Sequence, residues 1–182
     1  MFWHEGIGFR PVEKRDLENM RRLRNEQSTW IYLSDVNQIS SEQQERWFES
    51  LSKSGDKAYF VILKEVKDFP ISNEGDFLGI IRMDQIDQIN RSIRVGCDIV
   101  PKERGKGYGT KTFEAVLKFC FDHMGMHRLW LLTLENNKVA RKLYKNARFQ
   151  EEGRFRESIW REGKWHDCIV MSILEDEYRR GE

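Results

Sequence analysis

The chain has 182 residues, of which 31 are lysine or arginine and 30 are aspartate or glutamate. Because these charges nearly cancel, we expect neither nucleic acid nor an anionic membrane as a partner. The apolar runs are too short to cross a bilayer, and residues 1–10 lack the basic and apolar segments of an export signal. We therefore expect one cytoplasmic domain over residues 1–182, a length typical of a single domain.

The first half of the chain predicts a strand, two helices and another strand. Gly8–Val12 is a short apolar strand, and Asp16 can cap an amphipathic helix behind it. Ser40, or the serine after it, begins a second helix with glutamines placed for a capping box. Lys57–Lys64 is rich in aromatic and β-branched residues and predicts a strand, which a polar loop at Glu65–Asp76 follows.

Strands and helices alternate in the second half. The predicted strands are Phe77–Met83, Ile93–Ile99 and Arg128–Leu134, and Phe155–Trp160 and His166–Leu174 form an antiparallel hairpin. One predicted helix carries apolar residues from Phe113 to Met124 and stops at Gly125, and Asn136 or Asn137 caps the next. The whole chain thus predicts seven strands and four helices.

A glycine-rich loop, RGKGYGT at Arg104–Thr110, lies between a predicted strand and a predicted helix. Gly105, Gly107 and Gly109 leave the backbone free to expose successive N–H groups, and the helix N-terminus adds partial positive charge. These features predict a pyrophosphate cradle. The spacing fits neither the nucleoside-triphosphate loop nor the dinucleotide fingerprint. A plain helix-capping turn is the alternative for this loop alone.

The RxxGxG pattern of that loop and an Asn-x-x-Ala-x-x-x-Tyr element at Asn137, Ala140 and Tyr144 resemble the GNAT superfamily of N-acetyltransferases. The resemblance covers roughly the whole chain. It implies an α/β fold of the α+β kind, with a mixed, mostly antiparallel sheet of about seven strands and about four flanking helices. The two strands around the loop and its helix, Ile93–Val100 and Arg128–Leu134, would splay apart to admit an acyl thioester. One departure is Arg148 where the family has glycine, so this position is strained or the helix ends differently.

The resemblance also implies acetyl-CoA as co-substrate. Its expected contacts are Cys97, Ile99, Val100, Arg104, Gly105, Lys106, Gly107, Tyr108, Gly109, Thr110 and Asn137. Where the strands part, backbone N–H groups of the first strand can donate to the thioester oxygen.

Acetyl transfer needs an acid for the departing thiolate and a base for the incoming ammonium. Tyr144 is the candidate acid, because a phenol pKa near 10 lies close to a thiol pKa near 8.5. The base stays open. Arg94 occupies the position where some relatives carry glutamate, Asp98 is the nearest carboxylate and could instead form a salt bridge, and water could relay the proton to a backbone carbonyl.

The acceptor is predicted from the N-terminal third and the C-terminal hairpin, which resemble enzymes that acetylate UDP-4-amino sugars in surface glycan synthesis. Spermidine and protein N-terminal acetyltransferases show related patterns and are the alternatives. Cations and aromatic faces suit a sugar nucleotide, whereas carboxylates suit a polyamine. The candidate acceptor residues are Arg24, Asn25, Trp30, Tyr32 and Trp47.

Three further expectations concern metals, partners and loss of catalysis. The cysteines Cys97, Cys120 and Cys168 are few and scattered, as in reduced thiols, and Gly125 interrupts the pair His123 and His127, so we expect no metal site. The aromatic hairpin permits a homodimer. A coenzyme A sensor without catalysis is the alternative from another functional class.

Overall fold

The computed structural model describes residues 2–64 and 77–181, in which one eight-stranded sheet dominates. The strands are β1 (Phe2–His4), β2 (Ile7–Pro11), β3 (Ala58–Lys64), β4 (Phe77–Asp87), β5 (Ser92–Ile99), β6 (Arg128–Leu134), β7 (Gln150–Arg161) and β8 (Lys164–Leu174). The helices are α1 (Leu17–Asn25), α2 (Gln27–Trp30), α3 (Ser41–Leu51), α4 (Tyr108–Lys118), α5 (Lys138–Asn146) and α6 (Glu175–Arg179). The predicted loop at Glu65–Asp76 lies outside the described residues.

The sheet order is β1-β2-β3-β4-β5-β6-β8-β7. Within the described strands, β5 and β6 pair in parallel and every other neighbouring pair is antiparallel. This confirms the mixed, mostly antiparallel sheet. The predicted number of seven strands is wrong by one, because β1 pairs with β2 through a tight turn at Glu5 and Gly6, both with positive φ. Glutamate is unusual in such a turn, so residue types alone do not indicate this hairpin.

The two faces of the sheet support separate cores. Ile81 and Met83 of β4 belong to the larger core, which includes Phe113 of α4 and Tyr144 of α5. Ile80, the residue directly before Ile81, belongs to the smaller core with residues of α1 and α3. Successive strand side chains point to opposite faces, so α4 and α5 cover one face, and α1 and α3 cover the other. We call these the α4/α5 face and the α1/α3 face.

Local signals position the helices. Ser40 caps α3 in a capping box, in which its hydroxyl accepts from the Gln43 N–H and the Gln43 side chain accepts from the Ser40 N–H, as predicted. Asp16 precedes α1 and holds Arg10 of β2 through two short hydrogen bonds of 2.6 and 2.7 Å, with both side chains buried. The buried pair fixes the start of α1 against β2.

The four predicted helices are present as α1, α3, α4 and α5, and the described residues add the short α2 and α6. Helices of four and five residues offer too few positions for an apolar period to be recognised. The helix predicted to run to Met124 is α4 followed by one π-helical turn at Phe119–His123, and Gly125 follows with φ of 65°. No helix in the described parts of the chain is long and apolar enough to span a membrane.

Arg148 adopts a left-handed conformation with φ of 66°, at the position where the superfamily that the sequence resembles usually has glycine. Its N–H donates to the Lys145 carbonyl and the Phe149 N–H donates to the Tyr144 carbonyl, both at 2.9 Å. These two bonds form a Schellman motif at the end of α5, and Phe149 contacts Tyr144 across it. Of the two expected outcomes, strain at Arg148 is therefore the correct one. Its guanidinium also donates to the Tyr178 carbonyl at 2.6 Å.

Candidate active site

The glycine loop leads into α4 with its amides unpaired at the front of the helix. Gly105 and Gly107 have φ of 76° and 86°, and a Cβ at either position would meet nothing, so backbone conformation alone requires glycine there. Gly107 is the N-cap, and the Lys111 N–H donates to its carbonyl at 3.2 Å. The preceding amides, including those of Tyr108 and Thr110, have no intrahelical acceptor. They form the cradle that the sequence predicts for a pyrophosphate.

Gly109 has a different reason to be glycine. A Cβ there would approach the Leu143 Cδ2 atom of α5 to 3.1 Å, so its absence lets α4 and α5 pack closely. This contact joins the glycine loop to the helix that carries Tyr144.

Arg104 holds the loop rather than presenting a free cation. Its Nε donates to the Ile99 carbonyl at 2.8 Å, and its remaining nitrogens donate to the Ser28 carbonyl, the Ser28 hydroxyl and the Thr29 hydroxyl at 2.6 to 3.0 Å. Lys106 lies 3.1 Å from the Glu103 carboxylate. The predicted direct contact of Arg104 with the cofactor is therefore replaced by a clamp between the loop and α2. The backbone amides of the loop remain the predicted anion-binding groups.

The strands β5 and β6 separate after a short pairing. Ser92, Ile93 and Arg94 pair with Arg128, Leu129 and Trp130, and no partner on β6 is recorded for the described residues beyond Arg94 on β5. The other edge of β5 stays paired with β4 as far as Ile99. This is the splay that the resemblance implies, and it leaves the second half of β5 with one free backbone edge.

The direction of each amide decides which can meet a thioester in this gap. The Val100 N–H donates to the Leu78 carbonyl at 2.9 Å, so it points to the β4 side and the prediction for Val100 is wrong. N–H groups alternate in direction along a strand, so those of Ile99 and Cys97 point into the gap. The Ile99 carbonyl also points away from β4, because Arg104 donates to it from outside the β4–β5 pair. For Cys97 and Ile99 the contact with the thioester stays a prediction that this geometry allows.

Tyr144 lies on α5 and Asn137 caps the start of this helix, as predicted. The Asn137 side-chain oxygen caps the helix by accepting from the Ala140 N–H at 3.1 Å, so this side chain shapes the helix start. Tyr144 is buried and its ring packs edge-on against Phe113 with centroids 5.2 Å apart. Its phenol is close enough to Cys97 and Asp98 for both to affect its titration. The structure therefore brings the candidate acid to the open part of β5.

Burial raises the pKa of the Tyr144 phenol above its ordinary value, and Cys97 and Asp98 raise it further while Arg82 opposes them. Proton transfer from the phenol to the departing thiolate was predicted to be nearly balanced from ordinary pKa values, and the raised pKa of Tyr144 means that those values do not apply here. Burial also raises the pKa of the Cys97 thiol beside it, again with a smaller contribution from Asp98. A coenzyme A thiolate leaving in this gap would meet the same dry surroundings, so we expect its pKa to rise with that of the phenol.

Asp98 forms the salt bridge that was its alternative role. Its carboxylate lies 3.1 Å from the guanidinium of Arg82 on β4, and its side chain is 12% exposed. Arg82 stands opposite Gly96 in the strand register, and a Cβ at Gly96 would lie 3.0 Å from the Arg82 Nη2 atom. The missing side chain at Gly96 therefore gives the Arg82 guanidinium room to reach Asp98.

Two cavities meet at β4 and β5. The larger, of about 570 Å³, includes residues of α1, α3 and β3, and the smaller, of about 230 Å³, includes residues of β5, β6 and the β7–β8 hairpin. The residues that line both are Leu33, Ser34, Arg82, Asp84 and Arg94. We call the larger one the acceptor cavity and the smaller one the gap cavity. Their junction is a place where an amine could meet a thioester held between β5 and β6.

The junction carries a polar network that the sequence reasoning missed. Asp84 accepts from the Tyr59 hydroxyl at 2.6 Å and from Arg94 at 3.1 Å, and it is 8% exposed. Burial and this hydrogen bond raise the pKa of Tyr59. A signal was present, because Arg82 and Asp84 interrupt an otherwise apolar strand on the α1/α3 face. That strand pattern does not show that Asp84 pairs with Tyr59 and Arg94 on the neighbouring strands.

The predicted acceptor residues have mixed positions. Arg24 lines the acceptor cavity and pairs with Asp35, and Trp47 lines it while packing on Tyr59 at 5.1 Å. Tyr32 is exposed and lines the gap cavity.

Asn25 and Trp30 differ from that prediction. Asn25 bonds both backbone groups of Ile39 at 2.8 Å and thereby ties α1 to the segment before α3. Trp30 lines neither cavity.

Known proteins match this chain along most of its length. The family model described as an acetyltransferase (GNAT) domain matches residues 7–150. The chain belongs to this family. Its members' chemistry makes it an N-acetyltransferase with acetyl-CoA as donor, as the sequence predicted.

Similar proteins include the spermidine N(1)-acetyltransferase of Vibrio cholerae, 25% identical over an alignment of 178 residues that covers 94% of this chain and 95% of that protein. The putative ribosomal N-acetyltransferase YdaF of Bacillus subtilis is 27% identical over 105 residues, 58% of this chain and 57% of its own. A crystal structure of the Vibrio cholerae enzyme with CoA and spermine has a TM-score of 0.86 at 24% identity and covers 96% of this chain and 98% of that one. At this identity the structural likeness supports the fold.

Proposed function

We propose that the protein transfers the acetyl group of acetyl-CoA to a primary amine of a polyamine, with spermidine as the first acceptor to test. The observation that carries the proposal is the presence of three carboxylates, those of Asp35, Asp84 and Asp98, in the acceptor cavity. A long flexible amine needs such groups for its ammonium ions. The similarity to spermidine acetyltransferases over 94% of the chain supports the same acceptor.

In the proposed reaction the pyrophosphate of the donor binds the amides in front of α4, and the thioester enters the gap between β5 and β6. The amides of Cys97 and Ile99 face this gap and would donate to the thioester oxygen as negative charge develops on it. The amine approaches from the acceptor cavity and attacks the carbonyl carbon. Tyr144 gives its proton to the sulfur as the carbon–sulfur bond breaks.

A second acceptor class is favoured by the arginines of the same cavity. Arg24, Arg82 and Arg94 accompany the three aspartates, so the lining is balanced in charge rather than acidic. Guanidinium groups suit an acceptor that carries a diphosphate next to its amine, such as the UDP-4-amino sugar predicted from the sequence. The comparisons give this acceptor no support, and it therefore stands second.

The test measures thiol release from acetyl-CoA with spermidine, a UDP-4-amino sugar and an N-terminal peptide side by side, against a reaction without amine. We expect the highest kcat/KM for spermidine. A higher value for the sugar nucleotide or the peptide would replace the proposed acceptor. Tight coenzyme A binding without release for any amine would favour the sensor and reject the enzyme.

A further inference from the structure

The junction of the two cavities contains one carboxylate. Among the described residues, the gap cavity has Asp84 as its one acidic side chain, and the acceptor cavity adds Asp35 and Asp98. Asp84 thus lies where the acceptor cavity opens toward the gap between β5 and β6. Asp98, the candidate base from the sequence, lines the acceptor cavity alone. Position therefore favours Asp84 over Asp98 for a group that must touch the reacting amine.

Asp84 is held in place and still has capacity to accept. Its Oδ1 accepts from the Tyr59 hydroxyl at 2.6 Å, and its Oδ2 accepts from Arg94 at 3.1 Å. Each carboxylate oxygen has two lone pairs, so each retains one for a further donor. The side chain is 11% exposed, so an ammonium that reaches it leaves most of its water behind.

The surrounding charges favour loss of a proton from an amine at this place. Tyr59 faces Asp84 from β3, Arg82 lies on the same strand and face, and Arg94 faces it from β5. Asp98 lies farther along β5, opposite Ile80, and lines the same cavity. Farther along the same cavity lie the paired Arg24 and Asp35. Two guanidinium groups at the junction repel an ammonium and lower its pKa, while Asp84 attracts its proton. Such an arrangement suits deprotonation better than long residence of a cation.

We infer that Asp84 is the catalytic residue that takes the proton from the acceptor ammonium, an inference that rests on the proposed acetyl transfer. One N–H bond of the ammonium breaks as an O–H bond forms on the carboxylate. The freed nitrogen lone pair then forms the bond to the carbonyl carbon, and the carbon–sulfur bond breaks as the sulfur receives the Tyr144 proton. The nitrogen loses a second proton as the carbonyl re-forms, water carries that proton to the Tyr144 phenolate, and Asp84 returns its own proton to water in the acceptor cavity. No oxidant or further reactant is needed.

The test compares Asp84→Asn with the wild type in thiol release across pH 6 to 10, using spermidine, a UDP-4-amino sugar and an N-terminal peptide. The amide keeps the size of the side chain and an oxygen for Tyr59, but it cannot accept the proton. We expect kcat/KM at pH 7 to fall by about 10² to 10⁴-fold. We expect the variant to recover about tenfold per pH unit as the free amine forms in solution, because the amine then no longer needs a base.

Two further variants make the result specific. Asp84→Glu retains a carboxylate and should keep more activity than Asp84→Asn, with the pH profile of the wild type. Asp87→Asn makes the same change on the same strand at a residue that lines neither cavity and bonds Asn90, so its activity should match the wild type. Coenzyme A binding by each variant shows that the donor site remains folded.

Three results would overturn the inference. In the first, Asp84→Asn keeps turnover within about threefold of an active wild type. In the second, turnover falls but does not recover at high pH, which indicates a structural role. A wild type that releases no thiol with any amine would instead reject the proposed function, and this inference with it.

Discussion

Replacing Tyr144 by Phe tests the acid role with little disturbance of the fold. The phenyl ring would keep its packing against Phe113, at 5.2 Å between centroids, and against Phe149, at 6.1 Å. Among the described residues, no hydrogen bond to the Tyr144 hydroxyl is recorded, so its removal leaves no protein group newly unpaired. A change in the free energy of unfolding of less than about 1 kcal/mol is therefore expected.

The effect on catalysis should be much larger. Removing a positioned proton donor costs about 10² to 10⁴ in rate, which is about 3 to 5 kcal/mol of transition-state stabilisation. We expect the lower part of that range for Tyr144→Phe, because burial raises the pKa of the phenol and makes it a weaker acid. If the hydroxyl acts on the departing sulfur as proposed, kcat should fall while the dissociation constant of coenzyme A stays within about twofold.

The assay is thiol release at saturating acetyl-CoA, together with a direct measurement of coenzyme A binding. Tyr178→Phe is the control, because it removes a hydroxyl from a ring of α6 that stacks on Phe121 in the larger core, at the cost of one hydrogen bond of 3.3 Å to Asp122. It should retain the turnover of the wild type. Unchanged kcat in Tyr144→Phe would refute the acid role, and a fall shared equally by both variants would indicate loss of folding instead.

Three other predictions concern the cradle and stability. Gly107→Ala should raise the KM for acetyl-CoA by roughly tenfold, because a left-handed alanine costs about 1 to 2 kcal/mol, whereas Gly153→Ala, which meets no atom within 4 Å, should leave this KM unchanged. Asp16→Asn should lower the free energy of unfolding in urea by about 3 to 5 kcal/mol, since it leaves the buried guanidinium of Arg10 without its partner charge. Burial raises the pKa of the Cys120 thiol to about 12. The buried neutral thiol therefore contributes its full stabilisation below the pKa of the unfolded thiol, and this contribution is lost as pH rises toward 12. The free energy of unfolding should therefore fall less steeply with alkaline pH in Cys120→Ala.

Features set by neighbouring residues were predictable from the sequence. The cap of α3 at Ser40, the cap of α5 at Asn137 and the helix start at Gly107 each depend on contacts within about four residues. The strands β5 and β6 were predicted because apolar residues alternate along β5 and run almost without interruption along β6. Arg148 shows the limit even of a local signal, because the sequence indicated strain or a different helix end and could not choose between them.

The candidate site required contacts that no local pattern contains. Arg104 was predicted to contact the cofactor, yet its partners Ser28 and Thr29 lie 76 and 75 residues earlier in the chain. Asp84 meets Tyr59 across 25 residues and meets Arg94 through the β4–β5 register. The shift in register near the β4–β5 turn decides which side chains stand opposite each other, and it cannot be read from residue types.

The balanced charge of the acceptor cavity leads to a last prediction, on the choice of acceptor. Arg24 pairs with Asp35, and its Nη1 is buried without a hydrogen-bond partner, so Arg24→Gln frees one carboxylate and leaves little else unpaired. A freed carboxylate attracts an ammonium at 4 Å by about 1 kcal/mol in water, and the 51% exposure of Asp35 keeps the gain near that value. The KM for spermidine should therefore fall by about two- to fivefold.

The same variant should raise the KM for an acceptor that carries a diphosphate, because that acceptor loses a cation. Arg24→Lys keeps the charge and should leave both values close to those of the wild type. An unchanged or higher KM for spermidine in Arg24→Gln would mean that the amine does not extend to Asp35. The polyamine would then have to bind through Asp84 and Asp98 alone, each of which already faces an arginine, and the case for a polyamine acceptor would fail on charge.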